Sequence, residues 1–330
     1  MSVRARQAYF EALYNGKSMM QSLSGCTTDF SFEENAEGEG DSISISIADP
    51  TKAWLTALFP QKGDSLSAGI TCVGYNGSLF CGKFIIDDIA FSGEPTTLKI
   101  GALSTPENDA FRTTERTQVW ENVTLQNIAA EIAERTGVAL VYDAPEIKIK
   151  AIEQSKQNDC AFLSELCKKY GLSLKVYNSK IIIFDRIERK RRPPSYYVTI
   201  GDCSSWDFDT ELVGSYTGGE IAYTTGDSEE DIIYSTGTAG RWLKVNERAD
   251  SLADAQKKLI SALDDANHDI TVLNLSMPGQ PNMYPAQCLQ FAGLGPHVDG
   301  KYYINSISHN VSPSGYTSKL NLSKVVVIDG

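Results

Sequence analysis

From Ser42 to Ile47 the chain reads Ser-Ile-Ser-Ile-Ser-Ile. A strict period of two puts every isoleucine on one face of a strand and every serine on the other. Such a segment cannot present a helical stripe, so this part of the chain must build a sheet with one buried face. Asp49-Pro50 ends the run, and Trp54, Leu55 and Leu58 follow as a short amphipathic turn or helix. Ser67 to Tyr75 and Leu79 to Ile86 flank Asn76-Gly77, the strongest two-residue hairpin signal. Thr96 to Ala102 reads as a further strand. Many short strands with glycine punctuation predict a barrel or sandwich over residues 1–105.

The period changes after residue 105. Leu125, Ile128, Ala129 and Ile132 share one helical face, with Thr124 placed to cap the helix and Gly137 to end it. A strand from Val138 to Tyr142 follows. The pattern then repeats, with Asp159 as the expected cap, an apolar face of Phe162, Leu163, Leu166 and Cys167, and a stop at Gly171. Strands Leu172 to Tyr177 and Lys180 to Phe184 close around Asn178-Ser179. Two helix–glycine–strand rounds predict a small α+β module over 106–192. Its end, Arg186 to Pro194, is basic and contains two prolines, and reads as a solvated linker. The run Arg189-Lys190-Arg191-Arg192 is the functional alternative, a contact for nucleic acid or an acidic partner.

Residues 193–330 return to period two. Strands are expected at Tyr196–Ile200, Glu220–Thr225, Asp231–Ser235, Ile270–Leu275, Cys288–Phe291, Tyr302–Ile307 and Lys319–Val327. One helix interrupts them, capped by Ser251, with Leu252, Ala255, Leu259, Leu263 and Ala266 on one face. The map is therefore mainly β with an α+β insertion. Two β-barrel domains of like topology, 1–105 and 193–330, are expected around the module.

Charge follows the same division. The three segments carry net −5, +2 and −9 within a total of −12. A polyanion needs clustered cations to displace its counterions, so specific nucleic-acid binding is not expected. No apolar run reaches membrane-spanning length, and Met1 to Gln7 lacks the apolar stretch of a secretory signal. The seven cysteines, Cys26, Cys72, Cys81, Cys160, Cys167, Cys203 and Cys288, stand singly and read as reduced, buried small residues.

Chemistry is sparse. His268, His297 and His309 show no metal-ligand spacing, and there is no nucleophile elbow, phosphate loop or zinc-protease motif. Gly293-Leu294-Gly295-Pro296 reads as a turn, since Pro296 removes a donor that a phosphate cradle needs. Glu33 to Asp41 lacks the order of a calcium loop and reads, like Asp227 to Asp231, as a solvated acidic loop. No catalytic residue, cofactor or metal is expected.

The order of motifs is more specific than any one of them. Asp41-Ser42-Ile43-Ser44-Ile45 comes first, then Gly74-Tyr75-Asn76-Gly77, Gly82-Lys83-Phe84-Ile85-Ile86-Asp87 and Trp120-Glu121-Asn122-Val123-Thr124-Leu125. Gln157-Asn158-Asp159 leads into Phe162 to Gly171. Pro278-Gly279-Gln280-Pro281, Asp299 to Ile304, Ser308-His309 and Gly315-Tyr316 close the series. In this order the chain resembles the late control protein D family, baseplate hub proteins of contractile-tailed phages and related injection systems. Ala286 departs from the family's usual glycine after the nearby proline.

The resemblance implies two tail-tube-like β-barrel domains with an α+β insertion. It also implies a homotrimer that adapts a six-fold tail tube, or its initiator, to a trimeric spike. Tape-measure and baseplate wedge proteins are further implied partners. Such a chain would be made in the bacterial cytoplasm and assembled into a phage, bacteriocin-like or toxin-delivering tail. If the acidic segments line the channel, the wall would repel a polyanion in transit. The terminal run Lys324-Val325-Val326-Val327-Ile328 is continuous and largely apolar. It would either pair at a barrel edge or partner surface, or form a buried last strand. The competing reading is a peptidoglycan-binding protein, because the Thr124–Tyr142 unit is similar to LysM modules. A tail-associated wall hydrolase is the third.

Overall fold

The computed structural model describes residues 6–19, 28–38, 40–75, 77–104, 110–178, 180–223, 232–249 and 251–326. The first β unit contains β1 (Gln7–Tyr14), β2 (Lys17–Ser18), β3 (Thr28–Asn35), β4 (Ser42–Ala48), β5 (Ser65–Val73), β6 (Leu79–Ser92) and β7 (Thr97–Leu103). In β4 the isoleucines Ile43, Ile45 and Ile47 are buried and the serines half-buried, as the alternation requires. β1 and β3 are strands that the pattern did not reveal. Glu33, Glu34 and Asn35 belong to β3, so the acidic run is not a solvated loop, and both Glu34 and Asp41 are buried. Asn76 lies outside the described residues, as does the Asp227–Asp231 run. The Trp54 segment is a turn, held by Asp49, whose carboxylate accepts the backbone N–H groups of Ala53, Trp54 and Leu55.

The insertion runs through α1 (Ala110–Thr113), β8 (Glu115–Thr124), α2 (Leu125–Thr136), β9 (Ala139–Asp143), β10 (Lys148–Asn158), α3 (Asp159–Lys169), β11 (Leu172–Tyr177) and β12 (Lys180–Asp185). Thr124 caps α2 and Gly137 ends it in the left-handed conformation, φ 70°. The cap of α3 is Asn158, not Asp159; Asp159 is buried one residue inside, between Arg116 and Arg135. β8 pairs with β10, and β11, β12 and β9 form a second small sheet. Both helices press their apolar faces into one core with Trp120, Leu174 and Ile183.

Residues 186–194 are not the expected linker. Arg186–Arg191 forms α4, in which Arg186 and Lys190 are buried against acidic partners from both β units. Those acids are remote in sequence, so the run reads as a bare basic stretch; of its basic residues, only Arg191 and Arg192 are exposed.

The second β unit contains β13 (Tyr196–Thr199), β14 (Ser205–Thr210), β15 (Gly218–Tyr223), β16 (Ile232–Gly237), β17 (Trp242–Ala249), α5 (Leu252–Asn267), β18 (Thr271–Pro278), β19 (Cys288–Ala292), β20 (Gly300–Ser312) and β21 (Gly315–Lys324). Ser251 caps α5, which packs on the small β16-β15-β17 sheet.

The two β units repeat one plan. The first has strand order β3-β4-β7-β6-β5-β1, and the second has β14-β18-β21-β20-β19-β13. Ranked by chain order, both read second, third, sixth, fifth, fourth, first. In each, all six strands face one core, which requires the sheet to curl around it. The last pair differs in sense: β1 and β5 are antiparallel, β13 and β19 parallel. The match extends to single hydrogen bonds. Gly63 N–H donates to the Ile86 carbonyl and Ile86 N–H to that of Asp64, both at 2.9 Å. Ala286 N–H donates to the Ile304 carbonyl and Ile304 N–H to that of Gln287, at 3.0 and 2.9 Å. Gly63 and Ala286 both take positive φ, 87° and 61°. The turn that Gly63 makes in the first unit thus keeps its left-handed shape in Ala286, at some cost in backbone strain.

A shared strand joins the units. The first part of β20 pairs with β19, and its second part, Ser306–Val311, pairs antiparallel with β3. The two barrels therefore form one 13-stranded sheet. Val311 and Tyr316, at the tip of the β20–β21 hairpin, enter the core of the first unit.

Candidate assembly interface

Two buried charge clusters fix the three modules to one another. Lys175 of β11 lies 3.2 Å from both Glu34 and Asp41 of the first unit. Burial pushes the Asp41 carboxyl up to about 6, against the pull of Lys175. Burial likewise raises Glu34 despite the same lysine. The second cluster centres on Arg186. Its guanidinium donates to Glu37 of the first unit at 2.8 Å, to Asp264 of α5 at 2.8 Å, and to Asp265. Lys190 adds a second cation, 2.6 Å from Asp264 and 3.0 Å from His268 Nδ1. Burial opposes ionisation throughout, yet the opposite charges hold Glu37 and Asp264 below the usual carboxylate range. Ala36, Phe184, Ala286, Cys288 and Tyr303 form an apolar core from the same three modules.

The histidines have separate settings. His309 is fully buried, with Nδ1 2.8 Å from Tyr316 Oη and 3.1 Å from Ser318 Oγ. Burial lowers its pKa to about 4. Burial, then Lys190 and Arg186, lower His268 to about 4 as well. His297 is exposed. Among the described residues, no group of three His, Cys, Asp or Glu side chains is placed to hold a metal ion. Among them, no helix is long and apolar enough to cross a membrane. Cys81, Cys167 and Cys288 are buried; Cys26 lies outside the described residues.

The terminal run divides. Lys324 ends β21, and its Nζ donates to the His297 carbonyl at 2.7 Å. Val325 N–H bonds the Lys301 carbonyl at 2.9 Å, so both residues are tied to their own barrel. Val326 is 58% exposed, while Val327 and Ile328 lie outside the described residues. Pattern reading missed a larger exposed surface. β14 is the outer edge of the large sheet, and Trp206 on it is 47% exposed; Leu212 and Val213 just beyond are 76% and 79% exposed. The outer side of β14 has no strand partner among the described residues, and with the exposed apolar side chains beside it makes a candidate contact surface. Its signal lay in Trp206-Asp207-Phe208, an alternation too short to stand out.

A sheet of two like barrels with an α+β insertion has known counterparts. The chain is 21% identical to a probable baseplate hub protein of Escherichia phage 186, over 95% of this chain and 92% of that protein. A probable baseplate hub protein of Escherichia phage P2 is 26% identical over 56% of this chain and 48% of that one. By sequence, the chain is similar to phage baseplate hub proteins. No protein-family model matches it. Among solved structures, the chain superposes on the 43 kDa tail protein of prophage MuSo2 from Shewanella oneidensis with a TM-score of 0.74 at 14% identity. That match covers 96% of this chain and 98% of the other. The tail protein of Neisseria meningitidis MC58 gives 0.70 at 13% identity, covering 96% and 97%. A type VI secretion component, the Escherichia coli c3393 protein, gives 0.53 at 12% identity, covering 92% and 76%. These likenesses show the fold, and the hub relatives bear out the family resemblance read from the motif order.

Proposed function

We propose that the chain is a structural baseplate hub that adapts a six-fold tail tube to a trimeric spike. The observation that carries this is the repeat of one strand plan within a single chain, joined by a continuous sheet. Three copies supply six like barrels to one side of a ring, while the insertions keep three-fold symmetry on the other. The two buried charge clusters hold barrels and insertion in fixed relation, as a symmetry adaptor needs. Three copies carry three times −12, or −36, which favours a channel wall that does not trap nucleic acid. Val326, with Val327 and Ile328 beyond it, is a candidate contact for a neighbour. Tape-measure and wedge proteins remain proposed contacts, and no enzymatic role is proposed.

Incubating the purified chain with its spike protein and with insoluble peptidoglycan separates the readings. The hub should co-elute with the spike in equal copy number and stay in the supernatant of the peptidoglycan. Sedimentation with peptidoglycan and no spike complex would favour the wall-binding reading and overturn this one.

A further inference from the structure

The seam inside the chain has an unfilled twin. Cross-strand register aligns the two units residue by residue. Phe30 and Phe32 of β3 stand opposite Ile45 and Ile43 of β4; Trp206 and Phe208 of β14 stand opposite Leu275 and Leu273 of β18. Ile86 and Asp88 of β6 flank a bulge opposite Ala102 and Gly101; Ile304 and Ser306 of β20 flank one opposite Leu322 and Asn321. β14 is thus the counterpart of β3, and Asp88–Ser92 of β6 that of Ser306–Asn310 of β20.

Within the chain, β3 pairs with Ser306–Val311 of β20. The corresponding edges are β14, paired only with β18, and the Asp88–Ser92 half of β6, paired only with β7, so each has one side without a strand partner among the described residues. Exposure differs accordingly. Phe30 is 1% exposed where Trp206 is 47%, and Ile307 and His309 are fully buried where Ile89 and Phe91 are half-buried. Phe59, itself 47% exposed, stacks on Phe91 with ring centres 5.6 Å apart. The charges correspond too. Across the in-chain seam the register places Glu33, Ser308 and Lys319 in a row. The same row across the open edges is Asp209, Ala90 and Lys99, an acid facing a lysine over a small residue.

We infer that β14 of one copy pairs antiparallel with the second half of β6 in the next copy, in the register of the β3–β20 seam. Phe208 then faces Phe91, Asp207 faces Ser92, Asp209 faces Ala90 and Thr210 faces Ile89. Glu211 and Asp88 come next, and their like charges limit the ladder at that end. The contact is head-to-tail, so each copy keeps one edge of each kind until the ring closes. The occupant is a second copy of this chain, and this inference rests on the hub reading for the number at which the ring closes.

Opposed residues in such a ladder have Cβ atoms roughly 4.5–5.5 Å apart, near disulfide reach. Asp207 and Ser92 are both exposed, so cysteines there leave the cores intact. Mixing Asp207→Cys chains with Ser92→Cys chains and oxidising should give covalent dimers that reduction reverses. The doubly substituted chain should give a closed covalent trimer. Neither single variant alone should cross-link, and Asp207→Cys mixed with Ala90→Cys, slipped by two residues, should yield under a tenth as much. A native trimer without the Asp207–Ser92 cross-link overturns the register and leaves the hub reading standing. A chain that neither cross-links nor trimerises overturns both.

Discussion

Replacing Arg186 by alanine should cost roughly 3–5 kcal/mol, because it leaves buried carboxylates without their cation. Glu37, Asp264 and Asp265 converge on one guanidinium, and Lys190 contacts only Asp264 of the three. Glu37 is in the first unit, Arg186 in α4 and the two aspartates in α5, so the loss falls on the joint between modules. Denaturant unfolding should show either a lower midpoint or a split into separate steps, since uncoupled domains unfold apart. Arg186→Lys should recover only part, since one ammonium does not reproduce a planar fork with five donors. Lys52, whose pair with Glu94 is exposed, serves as the contrast. Lys52→Ala should cost less than about 1 kcal/mol. An Arg186→Ala chain with wild-type unfolding would show that the joint rests on its apolar core alone.

Lowering the pH from 7 to 5 should destabilise the chain by roughly 2–3 kcal/mol. His268 and His309 are held neutral down to about 4, against an ordinary value near 6.5. Between those values the unfolded chain binds two protons that the folded chain refuses, so stability present above 6.5 is lost as pH falls. Asp41 works in the opposite sense. Its carboxyl, raised to about 6, adds stability on acidification and loses it as pH rises through 6. Two histidines against one aspartate leave a net loss. Either His268→Gln or His309→Gln alone should remove most of the slope of melting temperature against pH. A flat wild-type profile, or a slope unchanged in both variants, would contradict the neutral buried state.

Period-two and helical patterns are local properties, and they were legible. β4 is written in its isoleucines, and α2 and α5 in their apolar faces and in the caps Thr124 and Ser251. What stayed hidden depends on partners far along the chain. Arg186 lies 149 residues from Glu37 and 78 from Asp264, so nothing beside it showed that its charge is buried. Glu34 is buried in its strand beside Lys175, 141 residues away, whose ammonium donates to its carboxylate. A run of acids alone reads as solvated. The exchange of Asp159 for Asn158 at the α3 cap has the same origin, since Arg116 and Arg135 draw Asp159 inward.

The assembly surface was the least legible part. Alternation alone expected like barrels, but their common strand order emerges only from pairing. Aligned positions such as Phe30 and Trp206, or His309 and Phe91, share a place in the sheet and not an identity. The terminal run drew notice because it is apolar and continuous. Its first two residues bind back to their own barrel, and the open edge lies at β14 instead.

The most direct test of the adaptor account is the mass of the native full-length protein, by light scattering or native mass spectrometry, alone at high concentration and with its spike. Three chains of 36.1 kDa, about 108 kDa, are predicted for the chain alone or for its part of the spike complex. A chain that stays at 36.1 kDa in both conditions would contradict it.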